Sequence, residues 1–129
     1  VHTSDARLKK NVITIDHALD LLTKLQGRRY LWRNDEFPDR YMQEGEDLGV
    51  IAQEIEPFFP ELVVTSPDGF KSVAYNKLIA VLIEAIKELR KEKDRELGKQ
   101  ESTIESLLRR NNQLESYLCQ KDPNADFCH

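Results

Sequence analysis

Ser4 stands five residues ahead of Lys9 in the run Ser4-Asp5-Ala6-Arg7-Leu8-Lys9. A serine hydroxyl is a weak nucleophile until a base takes its proton. A lysine does so near neutral pH only when its pKa, ordinarily about 10.4, is pulled down by burial or by positive neighbours. Arg7 and Lys10 are the cations close enough in sequence to act that way. By itself the pair is uninformative, because serine and lysine at this spacing recur by chance, and Ser-Asp ahead of a helix is ordinarily a cap or turn. Cys119 and Cys128 both fall in the last eleven residues without CxxC spacing, while His2, His17 and His129 are scattered. No metal set assembles from them, and no cofactor is expected. The cysteines read either as thiols of a reducing compartment or as a local disulfide closing a tail loop. His17 lies in an amphipathic stretch with no acidic orienter assignable, which makes it a surface or boundary residue rather than a base.

Composition narrows the classes further. The chain has 129 residues, is 40% hydrophobic and 33% charged, and has a formal net charge of -4. That length predicts one domain at most. With no apolar run near the length of a span and a mean hydropathy of -0.59, no membrane segment is expected and the chain reads as soluble. Nineteen Lys and Arg against twenty-three Asp and Glu leave no positive surplus to neutralise phosphates, so nucleic acid is not an expected partner. The absence of a charged and apolar leader argues against a secretory signal, and a start at Val1 reads as a piece of a longer parent.

These residues must be positioned by two kinds of structure, an α+β part followed by a long helix. Thr14 or Asp16 is expected to cap a helix whose apolar face is Ala18, Leu21, Leu22 and Leu25, with Gly27 as its stop. Arg28 to Arg33 reads as a strand, Asn34 to Asp47 as a polar loop, and Gly49 to Glu56 as a short helix closed by Pro57. Leu62 to Thr65 and Phe70 to Tyr75 form a hairpin about Ser66-Pro67-Asp68-Gly69. Trp32, Phe58, Phe59 and Tyr75 are expected in the core because aromatic side chains bury large areas.

From residue 77 to about Leu118 the sequence has no proline and a single glycine, and reads as one helix. Ile79, Leu82, Ile86, Leu89 and Lys93 follow three-four spacing, which Leu97, Gln100, Ile104, Leu107, Asn111, Leu114 and Leu118 resume after a stutter beside Gly98. Glu84 with Lys87, Glu88 with Lys91 and Glu92 with Arg95 are expected to pair on the solvated faces. One helix cannot bury such a narrow seam, so partner helices are required. Mixed Ile and Leu at both seam positions leave dimer and trimer open.

Three motifs appear in order: Ser4-Asp5-x-Arg7-x-Lys9, then Gly49-x-Ile51-Ala52-Gln53-Glu54, then Tyr75-x-x-Leu78 entering the coil. The combination resembles the endosialidase-type intramolecular chaperone auto-processing domain of phage tailspikes, tail fibres and neck appendages, also present in myelin regulatory factors. Neck appendages are the branch it looks most like. The likeness covers nearly the whole chain apart from the tail after Lys121. It implies a homotrimer that assists folding of the upstream fibre or appendage polypeptide and then cuts itself off at Thr3-Ser4. Residues 1–3 would be a remnant of the fibre, 4–76 the small chaperone and protease part, 77–118 the coil and 119–129 a tail. The work would take place in the host cytoplasm, with the parent protein in the virion.

On that resemblance the catalytic pair is Ser4 and Lys9, with Asp5, Arg7, Gln53 and Glu54 as supporting candidates. Ser4 Oγ would attack the Thr3 carbonyl, Lys9 would move the proton to the Ser4 nitrogen, and water would resolve the ester. Backbone amides or the Gln53 side chain would supply the oxyanion donor. Gln53 and Glu54 otherwise read as residues of a helix packed on the N-terminal segment. The competing class is a non-enzymatic trimerisation or adhesion module in which Ser4 and Lys9 are ordinary polar residues. A DNA-binding coil is disfavoured by the alternating charges of Glu84 to Arg95.

Overall fold

Apolar side chains at 18–25, 50–63 and 78–85 converge to make the core, and the intervening polar stretches become turns and hairpins. The structure is a computed structural model that describes residues 3–128. Val1 and His2 of the expected remnant, and His129, lie outside the described residues. Among the described residues no helix is long and apolar enough to cross a membrane. The chain divides into two compact units, Val1–Glu88 and Leu89–His129.

The first unit is α+β. Its elements are helix α1 (Ala18–Leu22), strands β1 (Arg28–Leu31) and β2 (Glu46–Gly49), helix α2 (Ala52–Ile55), and strands β3 (Val63–Thr65) and β4 (Lys71–Val73). The start of helix α3 (Tyr75–Lys121) completes it. β1 and β2 pair antiparallel with Arg28 opposite Gly49 and Leu31 opposite Glu46. β3 and β4 form the expected hairpin with Val63 opposite Val73, and Gly69 takes the positive φ that its turn requires.

Five expectations change here. The helix expected from Gly49 begins only at Ala52, and the end of the supposed loop is instead strand β2. Pairing with β1 decides this, since Gly49 lies where the Tyr30 and Tyr75 rings close in and a Cβ there would come within 2.5 Å of Tyr75 Oη. Neither Thr14 nor Asp16 caps α1. His17 occupies the N-cap position in the left-handed region at φ 56 without a side-chain cap, and it is exposed as expected. The cap comes from Glu88, whose two carboxylate oxygens accept hydrogen bonds from the backbone N–H groups of Ala18 (3.1 Å) and Leu19 (2.8 Å). Glu88 therefore does not serve a Lys91 pair. Glu84 does pair with Lys87 at 2.7 Å, while further along Arg90 with Asp94 and Glu96 with Lys99 take the place of Glu92 with Arg95 among the described ion pairs.

Helix α3 has two apolar stripes in its first turns. Leu78, Val81 and Ala85 face the body and pack with Ala18, Ile55, Phe59 and Leu62. Ile79, Leu82, Ile86 and Leu89, the stripe read as a coiled-coil seam, remain exposed. Of the four aromatic residues expected inside, Phe59 is buried and Phe58 packs against the core, but Trp32 and Tyr75 are exposed and line a groove. The only large side chains fully buried are Ile55 and Leu62 among the described residues. So small a core leaves the unit marginal by itself.

In the second unit α3 continues as unbroken helix through Gly98 to Lys121. Leu97, Ile104, Leu107, Leu114 and Leu118 are exposed along it. Cys119 and Cys128 are joined as a disulfide, their Cα atoms 5.6 Å apart, which closes the tail against the helix end.

Candidate active site

In an extended chain five residues span roughly 16 Å, so Lys9 cannot reach Ser4 unless the backbone reverses. A single 3-10 turn at Ala6–Leu8 does this, with Leu8 N–H donating to Asp5 O and Lys9 N–H to Ala6 O, both at 3.1 Å. Asp5 nucleates the turn. Its Oδ1 accepts the Arg7 backbone N–H at 2.9 Å, and its carboxylate takes the Arg7 guanidinium as a fork at 3.0 and 2.8 Å. The Arg7 side chain, and secondarily its backbone N–H, hold the Asp5 carboxyl below its ordinary value, while Asp5 raises the guanidinium. With the chain so reversed, Lys9 Nζ donates to Ser4 Oγ at 2.7 Å.

That contact is short enough for direct proton exchange between a serine hydroxyl and a neutral amine. Arg7 departs from the role expected for it. Its charge is neutralised by Asp5, so it acts on the shape of the turn and not as a positive neighbour of Lys9. Ser4 and Lys9 are both exposed in the single chain.

Gln53 and Glu54 stand elsewhere. Among the described residues no hydrogen bond or ion pair joins either to residues 4–9, while α2 packs through Ile55 against Ala18 of α1. Glu54 is engaged by Arg28 at 2.7 Å, which lowers the Glu54 carboxyl and raises the guanidinium. Gln53 lines a groove of about 630 Å³ beside Tyr30, Trp32, Asp47, Ile51 and Tyr75.

The groove was not legible as a site in the sequence. Tyr30 and Trp32 flank Leu31 at the end of β1 and so share a face, their rings meeting edge to face with centroids 5.1 Å apart. Asp47, from β2, accepts from Trp32 Nε1 at 3.1 Å and from the Leu48 backbone N–H at 2.8 Å, with the Tyr30 hydroxyl at a longer 3.5 Å. Burial, with Asp47 as the next cause, pushes the Tyr30 phenol up. Tyr75 Oη accepts the Val50 backbone N–H at 3.1 Å, tying the start of α3 to the groove floor. The period-two placing of Tyr30 and Trp32 was the one sequence signal available. No group of His, Cys, Asp and Glu suited to a metal ion occurs among the described residues.

The chain is similar over 110 residues, at 34% identity, to the long tail fiber protein Gp37 of Salmonella phage S16, covering 83% of this chain and 15% of that protein. It is similar to the long tail fiber protein Gp37 of Escherichia phage AR1 at 32% identity, covering 66% of this chain and 8% of that one. The chain thus spans a small fraction of these relatives. Residues 4–64 match the family described as chaperone of endosialidase, a span running from Ser4 through the groove to β3. Residues 4–64 therefore carry a likeness to the chaperone-of-endosialidase family, and with the homology to long tail fiber proteins they support a phage fibre chaperone domain.

Proposed function

We propose that the chain is the C-terminal intramolecular chaperone of a phage fibre, that it assembles as a parallel homotrimer through α3, and that it releases itself by cutting Thr3-Ser4. The observation that carries the cleavage is the 2.7 Å contact between Lys9 Nζ and Ser4 Oγ across a turn built for it. Neutral Lys9 takes the Ser4 hydroxyl proton as Oγ attacks the Thr3 carbonyl carbon. The bond from that carbon to the Ser4 nitrogen then breaks, and the nitrogen receives the proton from Lys9. An ester between the Thr3 acyl group and Ser4 Oγ remains, and water hydrolyses it to leave a Thr3 carboxylate and a free Ser4 hydroxyl. Nucleophile and leaving amide belong to one residue, so the step is intramolecular and occurs once per chain.

Exposure of the pair explains why assembly would matter. A lysine becomes an effective base when water is excluded from it, and in one chain water reaches Lys9 freely. The exposed stripe of α3 supplies the seam, and the resemblance to the intramolecular chaperone domains supplies the number three. The same exposure favours a second reading, a trimerisation module in which the pair is a surface contact only.

A longer parent protein distinguishes the two by intact mass. Wild type should yield a new N-terminus at Ser4, while Ser4→Ala and Lys9→Ala should remain uncut yet trimeric. Lys9→Arg should also remain uncut, because a guanidinium does not deprotonate near neutral pH. An uncut wild-type trimer would establish the non-enzymatic module.

A further inference from the structure

The segment carrying the candidate dyad contributes no buried residue. Every residue from Thr3 to His17 is exposed, and Leu8, Val12 and Ile13 stand 74%, 77% and 87% open to solvent. Apolar side chains bunched on a strap that contributes nothing to its own core call for another surface. The same chain offers one in the groove walled by Leu31, Trp32, Leu48 and Ile51, of which Leu31 and Leu48 are also strongly exposed.

Charge links the two surfaces. Asp47 is half-buried at the groove and takes its hydrogen bonds from Trp32, Tyr30 and a backbone amide, with no cation within ion-pair distance among the described residues. The one basic residue lining the groove, Lys71, is already held by Glu56 at 2.7 Å. On the strap, Arg7 is spent on Asp5 and Lys9 on Ser4, which leaves Lys10 as the basic residue without a partner among those described. A partly desolvated carboxylate without a counter-ion and an unpaired ammonium on an apolar strap are complementary.

We propose that the strap Leu8–Ile15 of one copy lies in the groove of a neighbouring copy, with Lys10 against Asp47. This rests on the proposed trimer, in which the α3 seam brings copies side by side. Docking covers Leu8, Val12 and Ile13, and it excludes water from the adjoining Ser4-Lys9 turn with a surface the chain cannot provide for itself. The groove then forms part of the cleavage site of the next protomer.

Complementation between chains tests this in the full-length parent. Homotrimers of Lys10→Asp set an acid against Asp47, and homotrimers of Asp47→Lys set two cations together. Each should cut at least tenfold more slowly than wild type. Co-expressed in one cell, the two variants recover about two of the three strap contacts in each mixed trimer, because around a cyclic trimer each strap reaches the next groove. With equal expression about a quarter of the trimers still hold one variant alone, so about half of all chains in the mixture are expected to cut at the wild-type rate. Loss in both homotrimers without recovery would place the contact within one chain, and undiminished cutting in either homotrimer would remove the contact altogether; both overturn the proposal.

A second measurement is independent of cleavage. Carbodiimide treatment of the uncut Ser4→Ala parent should couple Lys10 to Asp47 in a covalent dimer of chains, identified by peptide mass. The same peptide within a single chain, or no such peptide, overturns strap exchange. A wild-type parent that never cuts but gives the coupled dimer would instead defeat the autoproteolysis reading and leave the interface standing.

Discussion

Removing the Glu88 carboxylate should destabilise the first unit more than a surface glutamate ordinarily would. Its two oxygens are the partners of the Ala18 and Leu19 backbone N–H groups, and Ala18 is completely buried. Helix α1 has five residues and its N-cap residue, His17, makes no side-chain cap hydrogen bond, so no local cap replaces them. Losing a helix cap costs about 1 kcal/mol, and leaving a buried donor unsatisfied costs about 1–3 kcal/mol. Glu88→Ala should therefore cost about 2 kcal/mol, or a fall in Tm of about 10 °C for a unit of this size. Glu88→Gln retains the side-chain volume and one carbonyl acceptor and should lose about half as much. Thermal unfolding followed by circular dichroism at fixed chain concentration measures the effect, since assembly makes Tm concentration-dependent. Hydrogen exchange should accelerate at both Ala18 and Leu19 in the alanine variant and at one of the two in the glutamine variant. A change below about 0.5 kcal/mol, the range of an ordinary surface substitution, would refute the argument that Glu88 is the cap of α1.

Gly49→Ala places a Cβ 2.5 Å from Tyr75 Oη and 3.0 Å from Tyr30 Oη, so one ring must move; a loss of about 1–3 kcal/mol in urea titration is expected, and an unchanged midpoint would show that the rings yield freely. Leu107→Asp, on the exposed seam, should dissociate the proposed trimer because a charge repeated in each chain costs several kcal/mol to bury, and light scattering at micromolar concentration should then report monomer mass. The Ala6–Leu8 turn should respond to acid. Asp5 has its folded pKa depressed by Arg7, so its contribution is present above the ordinary carboxylate range and is lost as pH falls through the depressed value. Backbone amide shifts of Ala6 to Lys9 should hold from pH 7 to about 5 and move below about pH 4; shifts that stay constant to pH 2 would deny Asp5 its capping role.

Much of this chain was written in local sequence. The hairpin at 63–73 follows from Pro67-Asp68-Gly69, whose glycine alone meets the positive φ, and the long helix follows from forty residues without proline. The Ser4 to Lys9 spacing was equally legible, because the cap that folds it, Asp5 onto Arg7, lies within the same six residues. What escaped were pairings distant in the chain. Strand β2 looked like a polar loop because its partner β1 lies on the far side of a loop, and only the ladder between them defines it. Glu88 looked like half of a solvated helix pair, since nothing near residue 88 announces that the unsatisfied amides of Ala18 and Leu19 will be brought beside it. The second apolar stripe of α3, Leu78, Val81 and Ala85, was overshadowed by the seam stripe because periodicity gives the spacing of a face and not what it meets. Local chemistry determines turns, caps and helices; which face packs, which anion is left without a cation and where the exposed strap finds cover are decided only when distant segments compete for the same space.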